Sequence, residues 1–507
     1  MSLAEAISEA EARFEARRRG VGLVLAPALF ALLWFLPMPS LSAPAHALAA
    51  VAAATVVLWV TEAIPLPAAA LLGPSLAVLC GVAEPKAALA PFADPLIFLF
   101  IGGFLLAEGL SRQGVDRRVA LWLVARPIVA GSPTRAMIAV ASIAWAFSMW
   151  ISNTATTAML LPVALGVHAT MRGVIGDDAE DRKQLDRFAG GMCLLVAYAS
   201  SIGGIATPIG TGPNVIAIGM LEDRLGIQID FVRWMSFALP ISAVTLLIAL
   251  TLAARRFRPP LKRLPGLADA VARQLAELGP VRPAERRAVA VFGLAILGWL
   301  APSLLRLAIG QEHAWTVWAN DVLDEGVVAI VAASLLFFLP TGGAQSKPIL
   351  EWADAQRLDW GTILLLGGGL ALGKLTFETG LAEAIGHGVL GGLGDLARHP
   401  AGLMICAIAL MLVLTEVTSN TAVTSMMLPV LIGVAQAGGL DPVPTAVLAT
   451  IAASFAFMLP VSTPPNAMAY GTRMIRVDAM LAIGVRLDAW GFVVLVLAGL
   501  LLVPAVL

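Results

Sequence analysis

From Val21 to its end the chain is a succession of long apolar runs separated by short polar breaks. Many of the runs are about 17–25 residues long, the length a helix needs to cross the hydrocarbon of a bilayer. Some polar breaks fall inside apolar territory, and these recur. "ISNTATTAMLLPV" begins at Ile151 and "TSNTAVTSMMLPV" at Thr418, an offset of 267 at which nine of thirteen positions are identical. "PIGTGPNVIAIG" from Pro208 matches "PVSTPPNAMAYG" from Pro460 at an offset of 252. A third pair, "FIGGFLLAEGLSRQGV" from Phe100 and "LGGGLALGKLTFETGL" from Leu366, keeps an offset of 266. Three blocks in the same order describe a duplicated unit.

The pattern predicts an all-α polytopic membrane protein of two inverted repeats, with eleven transmembrane helices, two re-entrant hairpins and two broken helices. Each unit holds five full crossings, an odd number, so the second lies upside down relative to the first. Proline forces the breaks at Gly210–Asn214 and Ser462–Asn466, since it lacks an amide and blocks the preceding turn. Lipid cannot satisfy the freed backbone groups, so the breaks and the two Ser-Asn-Thr tips must sit in protein or a wet cavity. Glycines 102–103 and 368–369 read as close helix packing.

Composition sharpens the picture. The chain has 507 residues, 59% hydrophobic and 13% charged, against about 25% charged in a soluble domain. A net charge of −1 without a basic tract gives no footing for nucleic acid. Cys80, Cys193 and Cys406 stand alone in apolar runs and read as small core residues, without metal or disulfide spacing. Arg17–Arg19 ahead of an apolar run imitate a signal peptide, but the run is read as a retained first span.

Lys and Arg placement orients the chain, because positive loops stay cytoplasmic. With segments 1–20, 61–67, 112–135, 171–187, 254–288, 340–358 and 473–486 inside, 27 of the 33 basic residues are cytoplasmic. That holds only if 134–170 and 401–438 each enter and leave on one face. The expected organisation is a cytoplasmic N-terminal segment, 1–20, in a bacterial-type inner membrane; membrane helices, 21–133 and 289–400; and a hairpin and broken helix in each half, 134–253 and 401–507. The cytoplasmic connector, 254–288, is expected to hold one short amphipathic helix.

The breaks also carry the chemistry. Four helices begin just after them, each with about +0.5 charge at its N-terminus, nominally about +2 together. Ser, Thr and Asn side chains add donors for an anion, while helix C-termini offer carbonyls to a small cation. Segments 136–170, 188–220 and 442–472 contain no Lys, Arg, Asp or Glu, and 401–438 contains only Glu416. A dianion there needs co-bound cations, and sodium suits the site better than protons, because a carboxylate relay is nearly absent. Glu416 reads equally as a functional group or as a carboxylate capping backbone amides, and His168 reads as interfacial. The hairpin and broken-helix elements hold no Asp pair, His cluster or Ser–base arrangement to suggest an enzyme.

The two triplets, the broken helices and "ASFAFMLPVSTPPNAMA" (Ala453 to Ala469) together resemble the divalent anion:sodium symporter family over essentially the whole chain. The resemblance implies a homodimer with a scaffold domain, 21–133 and 289–400, and a mobile transport domain, 134–253 and 401–507, working by an elevator mechanism, with sodium ions as co-transported ligands and no organic cofactor. It implies a substrate site at Asn153, Thr154, Thr211, Asn420, Thr421, Thr463 and Pro464. One sodium site would use Ser148, Ser152, Asn153 and Gly210, and the other Thr415, Thr418, Ser419, Asn420 and Ser462. Gly212, where the second copy has Pro464, implies a looser first break. The expected activity is sodium-coupled import of a small dianionic C4 dicarboxylate. The alternatives are a sodium-independent exchanger, a sulfate or citrate carrier, and a passive anion channel.

Overall fold

The computed structural model describes residues 9–175, 178–261, 267–342, 347–393 and 398–506. Among them the backbone is helical apart from turns and one isolated bridge between Pro340 and Pro348. Helices dominate because each satisfies its own amides and carbonyls, which a bilayer cannot do. Many open on a proline in the first turn, as at Pro95, Pro133, Pro400 and Pro442, where the missing amide costs nothing. Asp94, Asp230, Asp324 and Asp441 cap their helices by accepting a backbone N–H.

Nine helices are long and apolar enough to cross a membrane among the described residues, so the eleven crossings expected from sequence are not recovered as eleven long helices. The difference has a physical source. Leu66–Leu79 and Glu325–Phe338 span only 14 residues each, about 21 Å of helix. Of the broken helices, Ala179–Gly204 is long but begins with a charged stretch, and the other pieces are short, while the second arms of both hairpins are themselves long enough to count.

Elements recur in order: Leu66–Leu79 with Glu325–Phe338, Pro95–Arg112 with Trp360–Glu378, Pro133–Ser148 with Pro400–Thr415, Asn153–Arg172 with Asn420–Ala437, and Phe231–Arg256 with Val477–Leu501. The packing is exchanged between halves. Pro95–Arg112 packs on Glu325–Phe338, and its counterpart Trp360–Glu378 packs on Leu66–Leu79. Both crossings run through a repeated glycine: a Cβ on Gly102 would lie 2.6 Å from the Ala329 backbone, and one on Gly368 2.4 Å from that of Ala70. The close-packing role expected for these glycines is what the helices use them for. Gly212–Leu225 likewise packs on Asn420–Ala437, as Pro464–Gly471 does on Asn153–Arg172.

The connector contains the expected short helix, Leu267–Glu277, which packs against Val115–Val124. Arg118 fixes the far end by donating to Glu285 at 2.6 Å and to the carbonyl of Gly279 at 2.8 Å. The first helix, Glu9–Phe35, lies along Ala43–Thr61. Residues 262–266 of the connector lie outside the described residues.

Candidate functional site

Each hairpin is two helices joined at a four-residue tip. In the first, Pro133–Ser148 and Asn153–Arg172 meet around Met149–Ser152; in the second, Pro400–Thr415 and Asn420–Ala437 meet around Glu416–Ser419. The hydroxyl four residues ahead of each Ser is used alike. Ser148 donates to Asn153 Oδ1 at 2.7 Å, and Thr415 reaches Asn420 Oδ1 at 2.7 Å. Thr415 also faces the carbonyl of Ala453, so its single proton serves one acceptor at a time. With Oδ1 engaged, the Nδ2 hydrogens of Asn153 and Asn420 are left for another acceptor.

The broken helices face the tips. Helix Ala179–Gly204 ends, a short 3-10 turn at Pro208–Gly210 follows, and Gly212–Leu225 begins. In the second half, Pro442–Ala452 ends and Pro464–Gly471 begins after a longer irregular stretch. Each break is tied by a fully buried asparagine. Asn214 Nδ2 donates to the carbonyls of Gly204 (3.0 Å) and Thr207 (2.7 Å), and Asn466 Nδ2 to those of Ala456 (2.8 Å) and Leu459 (3.1 Å). Neither Asn has a partner for its Oδ1. The sequence repeats both asparagines in its "PN" pairs, but reading them only as limits of the breaks missed this structural role.

One cavity of about 800 Å³ receives all four break points. Its walls include Ser152-Asn153-Thr154, Gly210-Thr211-Gly212, Ser419-Asn420-Thr421 and Ser462-Thr463-Pro464. All seven residues expected to hold substrate therefore line one space. Of those expected to hold sodium, Ser152, Asn153, Gly210, Ser419, Asn420 and Ser462 line it, while Ser148, Thr415 and Thr418 are buried behind the wall. Thr418 Oγ1 has no partner there. The N-caps Ser152, Thr211, Ser419 and Thr463 all face the cavity, so four positive helix ends converge on it.

Arg18 is the one cationic side chain on the wall among the described residues; it pairs with Glu62 at 3.2 Å, beside Glu15 and Asp359. Gly212, expected to loosen the first break, stands close to the second tip. A Cβ there would lie 2.9 Å from Thr421 Oγ1, so the two repeats touch at this position and a side chain would part them.

Glu416 resolves toward one of its two readings. Its carboxylate accepts from the amides of Phe457 (2.7 Å), Met458 (2.9 Å) and Leu459 (3.2 Å) and lies 2.7 Å from Ser462 Oγ. It caps the irregular stretch of the second break. Asp488, on Val477–Leu501, is buried beside Glu416, close enough for the two carboxyl groups to share a proton in a hydrogen bond. The charge inventory stopped at residue 472 and so passed over it. His168 is buried in the protein, and its Nε2 lies 3.0 Å from Oδ1 of Asp186, whose side chain is exposed.

With this geometry in place, comparison with known proteins decides the family. Residues 17–506 match the model described as the sodium:sulfate symporter transmembrane region. The chain belongs to this family of divalent anion:sodium symporters. Within it, a sodium-dependent dicarboxylate transporter of Staphylococcus saprophyticus is 34% identical over 493 residues, covering 96% of this chain and 92% of that protein. The counterpart in Staphylococcus aureus is 32% identical over 491 residues, with coverage of 96% and 92%. Two solved transporters share the fold. MtrF of Neisseria gonorrhoeae aligns with a TM-score of 0.55 at 11% identity, covering 94% of this chain and 97% of that one. YdaH of Alcanivorax borkumensis aligns with 0.53 at 13% identity, covering 82% and 87%.

Proposed function

We propose that the protein imports a C4 dicarboxylate of the succinate type together with sodium ions. The observation that carries this reading is the convergence of both Ser-Asn-Thr triplets and four helix N-termini on one 800 Å³ cavity. A dianion there meets amide and hydroxyl donors and nominally about +2 of helix-end charge. Arg18 adds little, since Glu62 neutralises it.

The oxygens on and just behind the wall suit the accompanying cations. Ser148, Ser152, Asn153 and the carbonyl of Gly210 form one uncharged oxygen set; Thr415, Thr418, Ser419, Asn420 and Ser462 form the other. Hard cations prefer such ligands, and unwound helix carbonyls beside positive helix ends are the arrangement that couples a cation to an anion. The unpartnered Thr418 hydroxyl is an oxygen the protein itself leaves unused.

Positive-inside orientation puts Glu15, Arg18, Glu62 and Asp359 at a cytoplasmic mouth, so the cavity faces inward. At the first tip, Trp150 stacks on Phe231 at 5.8 Å and on Trp299 at 6.4 Å, and we assign to this stack the closing of the outer route. A site sealed outside and open inside is one end state of alternating access, reached by moving the hairpins and broken helices as a body against the remaining helices. The working unit is a homodimer in a bacterial inner membrane with the N-terminus inside.

Proteoliposomes decide the coupling. Radiolabelled succinate should concentrate inside only under an inward sodium gradient, and equal uptake in potassium alone overturns the reading. Counterflow without sodium would identify an exchanger, competition by sulfate or citrate would redirect the substrate, and non-saturable flux would identify a channel.

A further inference from the structure

The structure holds a second large cavity, about 720 Å³, away from the site just described. It runs along Ala43–Thr61, where Ala49, Ala53 and Val57 form one wall, and Ile385 and Met426 from the second half stand opposite. Small side chains on the first wall leave the gap open. From Ala49 to Trp59 the groove follows about 15 Å of helix.

Its lining is mainly apolar, and one of its polar groups stands unpartnered. The Trp59 side chain is 1% exposed, and its indole N–H has no acceptor. Among the described residues it is the one buried donor on this cavity left without a partner. The hydroxyls of Thr376 and Ser425 on the same walls are already bonded to the carbonyls of Leu372 (2.7 Å) and Thr421 (2.9 Å). A buried indole N–H normally finds an acceptor, and a buried polar group without one calls for an explanation.

We infer that this groove binds a glycerophospholipid, with an acyl chain laid along Ala49–Val57 and an ester carbonyl accepting from Trp59 Nε1. The chemistry selects this occupant. Trp59 lies within one turn of the end of its helix, the depth at which tryptophan meets the polar edge of a bilayer. The apolar groove extends from there toward the other end of the same helix. A chain with a neutral acceptor at one end matches that sequence of surfaces, and every lipid of the surrounding leaflet carries both parts. Because Ile385 and Met426 lie on different helices of the second half, the bound chain bridges the N-terminal helices and the second hairpin.

The test uses the full chain in proteoliposomes containing phosphatidylglycerol with a diazirine in its acyl chain. After irradiation, adducts are mapped by peptide mass spectrometry. Labelling is expected on the peptides carrying Met38 and Met426, both on the cavity wall. Ala53→Phe, which fills the groove, should abolish it, as should Ala384→Phe from the opposite wall. Labelling of the outward-facing Leu297 and Leu307 should stay unchanged and certifies that both variants are folded. Trp59→Phe keeps the ring and removes the donor, and should weaken labelling about three- to tenfold. Equal labelling in wild type and both filled variants overturns the site. Unchanged labelling in Trp59→Phe overturns the ester contact. Labelling by diazirine palmitate but not by the phospholipid overturns the phospholipid assignment. None of these outcomes depends on which solute is transported.

Discussion

The two hairpin tips bear the same Ser-Asn-Thr triplet but are held in opposite ways. At an offset of 267, Met149-Trp150-Ile151 correspond to Glu416-Val417-Thr418. In the first tip the Met149 carbonyl accepts from Thr207, and Trp150 joins an aromatic stack with Phe231 and Trp299, whose rings lie 5.2 Å apart. In the second, Glu416 is sunk into three backbone amides while Val417 is 53% exposed. The difference follows from the breaks. The first is bridged by a short 3-10 turn with its own backbone bonds, whereas the second leaves amides of an irregular stretch in need of an acceptor. The groups that face the cavity are alike in the two tips, and each tip has its own support for them.

The largest effect should come from the shared part. Asn153→Ala and Asn420→Ala should each lower succinate uptake at least about 100-fold while elution and helicity stay native. Loss in one variant but not the other would break the equivalence of the tips at the site itself.

The supports should then separate. Glu416→Ala strands three amides at about 1–3 kcal/mol each, and thermal unfolding in detergent should fall by many degrees. Met149→Ala, its positional counterpart, should cost less, since only apolar packing is lost. Similar losses in the two variants would mean that the carboxylate is not what holds the second break.

Trp150→Ala should cost about 3–5 kcal/mol by emptying an aromatic cluster, while Val417→Ala, on an exposed position, should stay within about 0.5 kcal/mol. Trp150→Ala should also admit a small thiol reagent from outside to a cysteine placed at Thr154, which wild-type packing excludes. No change in that labelling would show that the stack does not close the outer route.

The smallest shift is expected at the breaks. Asn214→Leu and Asn466→Leu release the carbonyls they hold and should raise the half-saturating sodium concentration severalfold, with succinate affinity at saturating sodium little changed. An equal shift in both parameters would mean that the asparagines support the fold alone.

Most of the fold was legible because lipid leaves a chain few options. Apolar length, proline breaks and the offsets of three repeated blocks were enough to place the tips, the breaks and the connector helix. Their convergence was legible from symmetry, since duplicated polar groups in lipid have few places to go. Other features lay outside any local pattern. Glu416 is one carboxylate in an apolar run, and whether it served solute or backbone depended on amides some forty residues away. Trp150 and Trp59 read as two more apolar residues, because a stack and an unpartnered N–H exist only once distant helices meet. At Gly212 the sequence could not show the near approach of Thr421 across the repeat.

The glycine crossings at Gly102–Ala329 and Gly368–Ala70 bear on how the molecule is assembled. Each half buries one of its helices against the other's, so neither possesses a finished interior by itself. During synthesis the earlier half must wait in the lipid with its notch vacant until the later one arrives. Biogenesis of this protein is therefore closer to the docking of two unfinished subunits than to the stepwise growth of a single bundle.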